Sequence, residues 1–338
     1  MIKQGIDSGA ELLVEVSRGD IVERRHHGHL VVIDDSKKVI YSKGDPYKYT
    51  YMRSSAKPIQ VLPVIASGAA QHFDFTDKEI AIMCASHYAE PNHLETLKSI
   101  IKKIGLKESD LQCGDATSLK PSHAFTLAKE GLQPRPFYND CSGKHLGMLA
   151  YTLFMKREIK NYLDPDHETQ QDILNTFANF CEYPVEKISI GIDGCSAPVF
   201  ALPLYNMAVP FLKLSNSSLL DKTTRIHADT VFNAMTAHPE MVAGSDGFCT
   251  ELMKITKGKM IGKIGAEGVY CVGIKDRGLA LAVKIEDGNM SVLSSVVIQV
   301  LDQFDVLSDD ERKQLEKFRV KENLNDRQTI VGFQKPVI

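Results

Sequence analysis

The amino-acid sequence predicts an α/β protein of the α+β kind, in which a mainly antiparallel sheet combines strands from both ends of the chain. Short apolar runs rich in β-branched residues lie near the N-terminus and again in the last third of the chain. Between them, apolar residues recur at the spacing of buried helices. We expect these helices to cover the sheet and to form a second, helical lobe.

Each element follows from one of these patterns. Strands are predicted at apolar runs bounded by turn residues, namely Leu12 to Val16, Leu30 to Ile33, Lys38 to Tyr41, Ile188 to Ile192, Lys259 to Lys263, Val269 to Ile274 and Leu279 to Ile285. Helices are predicted at Pro58 to Ala66, Pro91 to Ile104, Thr126 to Glu130, Lys144 to Lys156, His167 to Cys181, Pro198 to Leu212, Leu219 to Ala237 and Met290 to Gln303, before a charged tail.

No linker, repeat or low-complexity tract divides the chain, so we expect a single domain over residues 1–338 with two intimately joined lobes. The sheet is expected from about residues 8–70 and 255–305, and the helical middle from about residues 71–254.

Composition excludes several classes of protein. With 43% hydrophobic and 25% charged residues, the 338-residue chain can bury a large core. A net charge of -3 without a basic run gives no reason to expect nucleic acid. No apolar stretch approaches the ~20 residues of a membrane span. Met1 to Gly9 lacks the pattern of a signal peptide, and seven cysteines, an odd number, favour reduced thiols in the cytoplasm.

The first chemical motif is Ser54-Ser55-Ala56-Lys57 before Pro58. An S-x-x-K spacing puts the two side chains about 5–6 Å apart at Cβ, where a desolvated lysine can take the serine proton. Because Pro58 disfavours a helical residue before it, Lys57 is expected in the turn that leads into the helix. The alternative is that Ser54 or Ser55 simply caps that helix.

Two further motifs surround glycines. Asp140-Cys141-Ser142-Gly143-Lys144-His145 places a thiol, a lysine and a histidine at a predicted helix start, where helix capping by Asp140 or Ser142 is the alternative. Asp193 stands at a strand end in Gly191-Ile192-Asp193-Gly194-Cys195, where it can bind a ligand or bond its own turn.

The residues alone say less about two other positions. Ser86-His87 follows a short apolar run, and adjacent residues on a strand point to opposite faces, which favours no joint role. Gly262-Lys263-Ile264-Gly265-Ala266-Glu267-Gly268 suggests backbone that closely approaches another group, or else a loop between two strands.

Taken together and in this order, the motifs resemble the asparaginase II family, the thermolabile, rhizobial-type L-asparaginases. The resemblance is carried by Arg53 to Pro58, by Cys141 to His145, and by Lys263 with Gly265 to Val269. It implies a fold like that of serine β-lactamases and penicillin-binding proteins, and the hydrolysis of L-asparagine to L-aspartate and ammonia.

The resemblance implies two catalytic serine–lysine pairs, Ser54 with Lys57 and Ser86 with Lys263. Ser54 would attack the side-chain amide after giving its proton to Lys57, and Ser86 with Lys263 would relay protons or take the nucleophile's place. Substrate-binding roles fall on Arg53 for the carboxylate and Asp193 for the ammonium group, with His145 and Glu267 close by.

The resemblance also implies a zinc ion held by Cys141, Lys144 and Cys195, no organic cofactor, and a homodimer. Three positions depart from the family pattern: Asp140 replaces a common asparagine, Tyr88-Ala89-Glu90 replaces Ser-Gly-Glu, and Gly244 to Thr250 lacks an expected arginine–aspartate pattern. Two rival functions stay open, another serine amidase or esterase of β-lactamase-like fold and a zinc- or redox-binding protein without enzymatic activity.

Overall fold

The strands form two sheets in a computed structural model, which describes residues 9–338. Their bounds are β1 (Glu11–Arg18), β2 (Ile21–Ile33), β3 (Val39–Lys43), β4 (Tyr49–Tyr51), β5 (Ser189–Ile192), β6 (Pro198–Pro203), β7 (Met260–Gly265), β8 (Val269–Ile274), β9 (Leu279–Ile285), β10 (Lys321–Leu324) and β11 (Ile330–Pro336). Residues 1–8 lie outside the described residues. The prediction of no signal peptide depends mainly on this segment, and the predicted start of the sheet near residue 8 also falls in it.

The helices fill the middle of the chain and flank its last strands. They are α1 (Lys57–Gln60), α2 (Leu62–Ala66), α3 (Ala69–His72), α4 (Asp77–Met83), α5 (Pro91–Lys103), α6 (Pro121–Lys129), α7 (Ser142–Phe154), α8 (Glu168–Cys181), α9 (Leu204–Ser215), α10 (Lys222–Ala237), α11 (Pro239–Ala243), α12 (Phe248–Ile255), α13 (Leu293–Gln303) and α14 (Asp309–Arg319). Across residues 9–338, none of them combines the length and the apolar character needed to cross a membrane.

The larger sheet joins both ends of the chain, as predicted. Its order is β10-β11-β1-β2-β9-β8-β7, with β3 paired to the second half of β2, and every pair is antiparallel. The predicted α/β architecture with a mainly antiparallel sheet is therefore confirmed. β4, β6 and β5 form a separate antiparallel sheet of three strands.

The core lies where helices meet the centre of the larger sheet. β8 is buried at every residue, and α9 and α13 both pack against β8 and β9. Contact with α9 is so close that a Cβ at Gly273 would lie 2.1 Å from the carbonyl oxygen of Phe211. A strand covered on both faces reads as a continuous apolar run, which explains why β8 was recognisable from the sequence.

One predicted helix was wrong in its first half. The first half of the predicted helix Pro198 to Leu212 is strand β6, and helix α9 begins only at Leu204. The stretch is apolar throughout, and periodicity cannot distinguish a buried strand from a buried helix in such a run. The middle of the chain is therefore not wholly helical.

The predicted charged tail is also structured. It forms α14, whose start is fixed by a capping box between Ser308 and Glu311, and then strands β10 and β11. Because β11 pairs with β1, the larger sheet extends beyond the predicted limit near residue 305. These edge elements bury few residues, so the apolar pattern that marks the central strands is absent from them.

Candidate active site

A cavity of about 380 Å³ opens where the helical part of the chain meets the end of β7. The predicted site residues that line it are Arg53, Ser54, Ser86, Cys141, Asp193 and Cys195. The other lining residues are Tyr88, Leu119, Asn139, Asp140, Gly194, Ala243, Ile264, Ala266 and Met290. Segments far apart in the sequence thus build one pocket.

Ser54 lies in a 3-10 turn, Arg53–Ala56, directly before α1. Neither Ser54 nor Ser55 caps the helix: the cap position is Ala56, without a side-chain hydrogen bond. Instead Ser55 Oγ donates to the carbonyl oxygen of Lys263 at 2.9 Å, which ties the turn to β7. Lys57 is helical, with φ -55° and ψ -40°, despite the proline that follows it.

Both predicted lysines reach the same serine, Ser86. Lys57 Nζ donates to Ser86 Oγ at 3.1 Å and to the carbonyl oxygen of Ala85 at 2.6 Å. Lys263 Nζ donates to Ser86 Oγ at 2.8 Å and to the carbonyl oxygen of Ile264 at 2.7 Å. The predicted pair Ser86 and Lys263 is therefore in direct contact. Ser54 and Lys57 are joined through the backbone, where the Lys57 N–H donates to the Ser54 carbonyl oxygen, and not through a hydrogen bond between their side chains.

The two lysines differ in their electrostatic surroundings. Burial lowers the pKa of Lys263 to about 8, and the neighbouring charge of Lys57 adds to this effect. Burial also disfavours the charged form of Lys57, but Cys141 and Asp140 outweigh it, so that the pKa of Lys57 is raised. Near neutral to mildly alkaline pH, Lys57 is thus an ammonium ion, whereas Lys263 can lose its proton.

Asp140 supplies a negative charge beside these lysines. Its Oδ2 accepts a hydrogen bond from Lys57 Nζ at 3.3 Å. Burial opposes ionisation of this carboxyl group, yet Lys57 and other nearby positive groups outweigh burial and lower the pKa of Asp140. The helix α7 has its cap position at Cys141, so the expected capping role of Asp140 is not seen.

Ser86 follows helix α4 and is held in place by its neighbours. Its backbone N–H donates to the carbonyl oxygen of Val242 at 2.9 Å. The next residue, His87, accepts the Ala89 N–H at Nδ1, so Nε2 carries the proton and donates to Ser142 Oγ at 2.8 Å. Burial lowers the pKa of His87 well below its ordinary value, which keeps this histidine neutral and structural.

An ion pair faces the cavity beside Ser54. Arg53 Nε donates to Asp193 Oδ1 at 3.0 Å, and a second guanidinium nitrogen lies 2.8 Å from the same oxygen. Arg53 has φ +51°, a conformation that non-glycine residues adopt mainly at functional sites and turns. Asp193 also accepts the N–H of Gly194 at 2.8 Å, so its carboxylate both shapes its own turn and holds Arg53.

The three predicted zinc ligands come together beneath the cavity. Lys144 Nζ lies 3.1 Å from Cys195 Sγ, and Cys141 lies near enough to influence the ionisation of Cys195. The neighbouring Cys141 lowers the pKa of Cys195 although burial opposes this, and the Lys144 ammonium favours the thiolate as well. Two sulfurs and an amine are ligand types that zinc accepts, provided Lys144 loses its proton.

This set depends on Lys144. Across residues 9–338, no three His, Cys, Asp or Glu side chains are grouped so as to hold a metal ion. His145 is buried near enough to Cys195 for the cysteine to affect the pKa of the histidine. Its Nε2 forms no hydrogen bond with any of residues 9–338. The residues therefore fit zinc in kind, with Cys141, Lys144 and Cys195 as the donors.

Two predicted substrate-binding residues lie off the cavity wall. His145 is fully buried, and its Nδ1 bonds the hydroxyl of Tyr162 at 2.7 Å. Glu267 lies exposed in the turn between β7 and β8, with φ +59°, and its carbonyl oxygen accepts the Lys284 ammonium at 2.6 Å. Neither side chain is placed to contact a ligand in the cavity directly.

Several lining residues were missed by the sequence analysis as site residues. Leu119 and Met290 belong to no motif, because an apolar side chain alone carries no chemical signal. Asp140 was the first residue of the Asp140 to His145 motif, but it was given no role in the site. Tyr88 stood out only as a departure from a family pattern.

This chain is similar to solved structures at low sequence identity. A search of curated protein sequences found no match. Three similar solved structures are a β-lactamase from Mycobacterium bovis (12% identity, 82% of this chain and 94% of that chain, TM-score 0.40), Mglu in its native form (13%, 83% and 62%, 0.40), and the octameric penicillin-binding protein homologue from Pyrococcus abyssi (15%, 89% and 80%, 0.34).

The family comparison covers nearly the whole chain. Residues 14–336 match the family described as L-asparaginase II. This range contains every residue that lines the cavity as well as Lys57, Lys144 and Lys263. The chain therefore belongs to the L-asparaginase II family, a family of asparaginase-type amidohydrolases.

Proposed function

We propose that this protein hydrolyses L-asparagine to L-aspartate and ammonia, with Ser54 as the nucleophile. The observation that carries the proposal is the convergence of Lys57 and Lys263 on Ser86 Oγ in the wall of the cavity that Ser54 also lines. A serine with two buried lysines beside it can move protons to and from a reacting amide.

Accessibility favours Ser54 over Ser86 as the attacking group. Ser54 is partly exposed and lines the cavity, and within residues 9–338 its side chain forms no hydrogen bond. Ser86 is 6% exposed, and its oxygen already receives N–H groups from both lysines. An oxygen whose lone pairs are occupied is a poor nucleophile, whereas its proton is well placed for transfer.

The proton of Ser54 has a route to a base. Ser86 passes its proton to the neutral amine of Lys263, and Lys57 passes one of its ammonium protons to the Ser86 oxygen. The Lys57 amine, which is then neutral, takes the proton of Ser54. The Ser54 oxygen then bonds to the amide carbon. When the carbon–nitrogen bond breaks, the proton returns through Ser86 to the leaving nitrogen, so that ammonia departs. Water cleaves the resulting ester and releases L-aspartate.

The ends of the substrate match the ion pair in the cavity. L-asparagine carries a carboxylate that Arg53 can hold and an ammonium group that Asp193 can hold. In the free protein these two side chains neutralise each other at 2.8 Å. Binding therefore exchanges one ion pair for two, and neither charge is left buried without a partner.

Zinc, the cellular location and the oligomeric state remain predictions. If zinc is bound by Cys141, Lys144 and Cys195, it supplies a fixed positive charge that braces the turn carrying Asp193. A homodimer is implied by the resemblance, and a cytoplasmic location is predicted from the sequence, whose odd number of cysteines favours reduced thiols. Sedimentation and cell fractionation would test these two predictions.

Ammonia release from L-asparagine, measured beside L-glutamine with the purified protein, tests the proposed reaction. We expect release from L-asparagine. Release from neither amide would contradict the proposed activity, and hydrolysis of a chromogenic β-lactam or a D-alanyl-D-alanine peptide instead would identify the rival serine hydrolase.

A further inference from the structure

The cavity is larger than free L-asparagine requires. Its volume is about 380 Å³, whereas an amino acid of this size occupies about as much space as four waters at ~30 Å³ each. The polar part of the wall is formed by Arg53, Ser54, Ser86, Asn139, Asp140 and Asp193. The cavity therefore has room for a further chemical group, and the other lining residues indicate its kind.

Apolar side chains line that remaining space. Tyr88, Leu119, Ile264 and Met290 contribute to the wall, and Leu119 and Met290 are 55% and 49% exposed. Single exposed apolar residues are common on proteins, but a group of them around one cavity indicates a surface that binds an apolar group.

Tyr88 is fixed in this wall by a glycine. A Cβ added to Gly244 would lie 2.3 Å from Cδ2 of the tyrosine ring, and Gly244 has φ +74°. Only glycine allows both the backbone conformation and the room for the ring.

Leu119 is held beside Tyr88 by hydrogen bonds on either side of it. Ser118 Oγ donates to the carbonyl oxygen of Tyr88, and Lys120 Nζ lies 2.8 Å from Asp246, two residues after Gly244. The N–H of Lys120 also donates to Ser118 Oγ at 3.1 Å. The apolar wall is therefore formed before any ligand binds, which reduces the entropy lost on binding.

We propose that this wall receives an apolar substituent on the amide nitrogen, so that the substrate class includes N-substituted β-amides of L-aspartate. The inference rests on the proposed function. If Arg53 holds the carboxylate and Asp193 holds the ammonium group of the substrate, a substituent on the amide nitrogen leaves both of these charged groups unchanged. The same steps then release a primary amine in place of ammonia, with its proton supplied through Ser86.

The experiment compares L-aspartate β-benzylamide with L-asparagine and measures the common product, L-aspartate. We expect wild-type kcat/KM for the benzylamide to lie within about tenfold of that for L-asparagine, and Leu119→Ala to lower the ratio of the two by about tenfold or more. Tyr88→Ser should lower the same ratio. Phe125→Ala is the matched control, because Phe125 is 72% exposed on α6 but does not line the cavity.

The possible results separate the two proposals. Cleavage of L-asparagine without cleavage of the benzylamide overturns the inference and leaves the proposed function intact. The same conclusion follows if Leu119→Ala does not change the ratio of kcat/KM for the benzylamide to kcat/KM for L-asparagine. Cleavage of neither compound overturns the proposed function and the inference together. Since Leu119 is exposed, its substitution tests the inference even if the Tyr88 variant does not fold.

Discussion

Lys57 and Lys263 hold the same serine oxygen, yet their surroundings leave them in different protonation states. Burial beside Lys57 lowers the pKa of Lys263 to about 8, whereas Cys141 and Asp140 keep the pKa of Lys57 raised. A lysine whose pKa is lowered gains its neutral form as the pH rises through the lowered value. The proposed base is thus Lys263.

We therefore expect kcat/KM for L-asparagine to rise with pH and to level off above about 8. Lys263→Arg should abolish the activity, because a guanidinium group stays protonated at every accessible pH. Lys213→Arg is the control, since Lys213 is also buried and also bonds carbonyl oxygens, but far from the cavity. A pH profile that is flat through this region would contradict Lys263 as the base.

Asp193 and Glu267 are both carboxylates that were predicted to bind the substrate, but only Asp193 lines the cavity. We expect Asp193→Asn to raise KM for L-asparagine by roughly tenfold or more, because one charge-assisted contact to the ammonium group is lost. Glu267→Gln should leave KM within about twofold, which makes it the matched control. Equal effects of the two substitutions on KM would show that the cavity is not where the substrate's ammonium group binds.

At the scale of elements, central strands were predicted far better than peripheral ones. Val269 to Ile274 and Leu279 to Ile285 were predicted with the bounds that β8 and β9 have. Both strands are buried along almost their whole length and end at turn residues. β10 and β11 were missed because pairing with distant β1, rather than their own composition, stabilises them.

Close contact between β8 and α9 gives a test of the fold. Gly273→Ala would bring a methyl group within 2.1 Å of the carbonyl oxygen of Phe211. We expect the free energy of unfolding to fall by about 1–3 kcal/mol, measured by urea denaturation. Gly194→Ala is the control, because a Cβ there would meet no heavy atom within 4 Å and Gly194 does not have a positive φ. Equal stability of the two variants would contradict the described packing.

At the scale of the whole molecule, the site exists only because the fold joins distant segments. Ser86 contacts Lys57, 29 positions away, and Lys263, 177 positions away. No local pattern links such positions, which is why the residues alone gave Ser86 no role and only the family resemblance did. Local motifs did identify the pair Ser54 and Lys57, which stands before Pro58 at the start of a helix. They also identified Asp193, which precedes a glycine at the end of a strand.

The apolar part of the cavity was beyond sequence reasoning for the same reason. Leu119 and Met290 are far apart in the sequence, and each is an ordinary apolar residue in its own segment. Only the folded chain shows that they share a wall with Tyr88. The proposed selectivity therefore depends on the assembled molecule, whereas the proposed catalytic residues leave a trace in the sequence.

In the proposed mechanism, Ser54 attacks the amide while Ser86 relays protons between the two lysines. This mechanism is tested most directly by acid-quenching the protein during turnover of L-asparagine and mapping the aspartyl ester by peptide mass spectrometry. We expect the ester on the peptide that contains Ser54, and its loss in Ser54→Ala. An aspartyl ester on Ser86, or turnover by Ser54→Ala at the wild-type rate, would contradict the account.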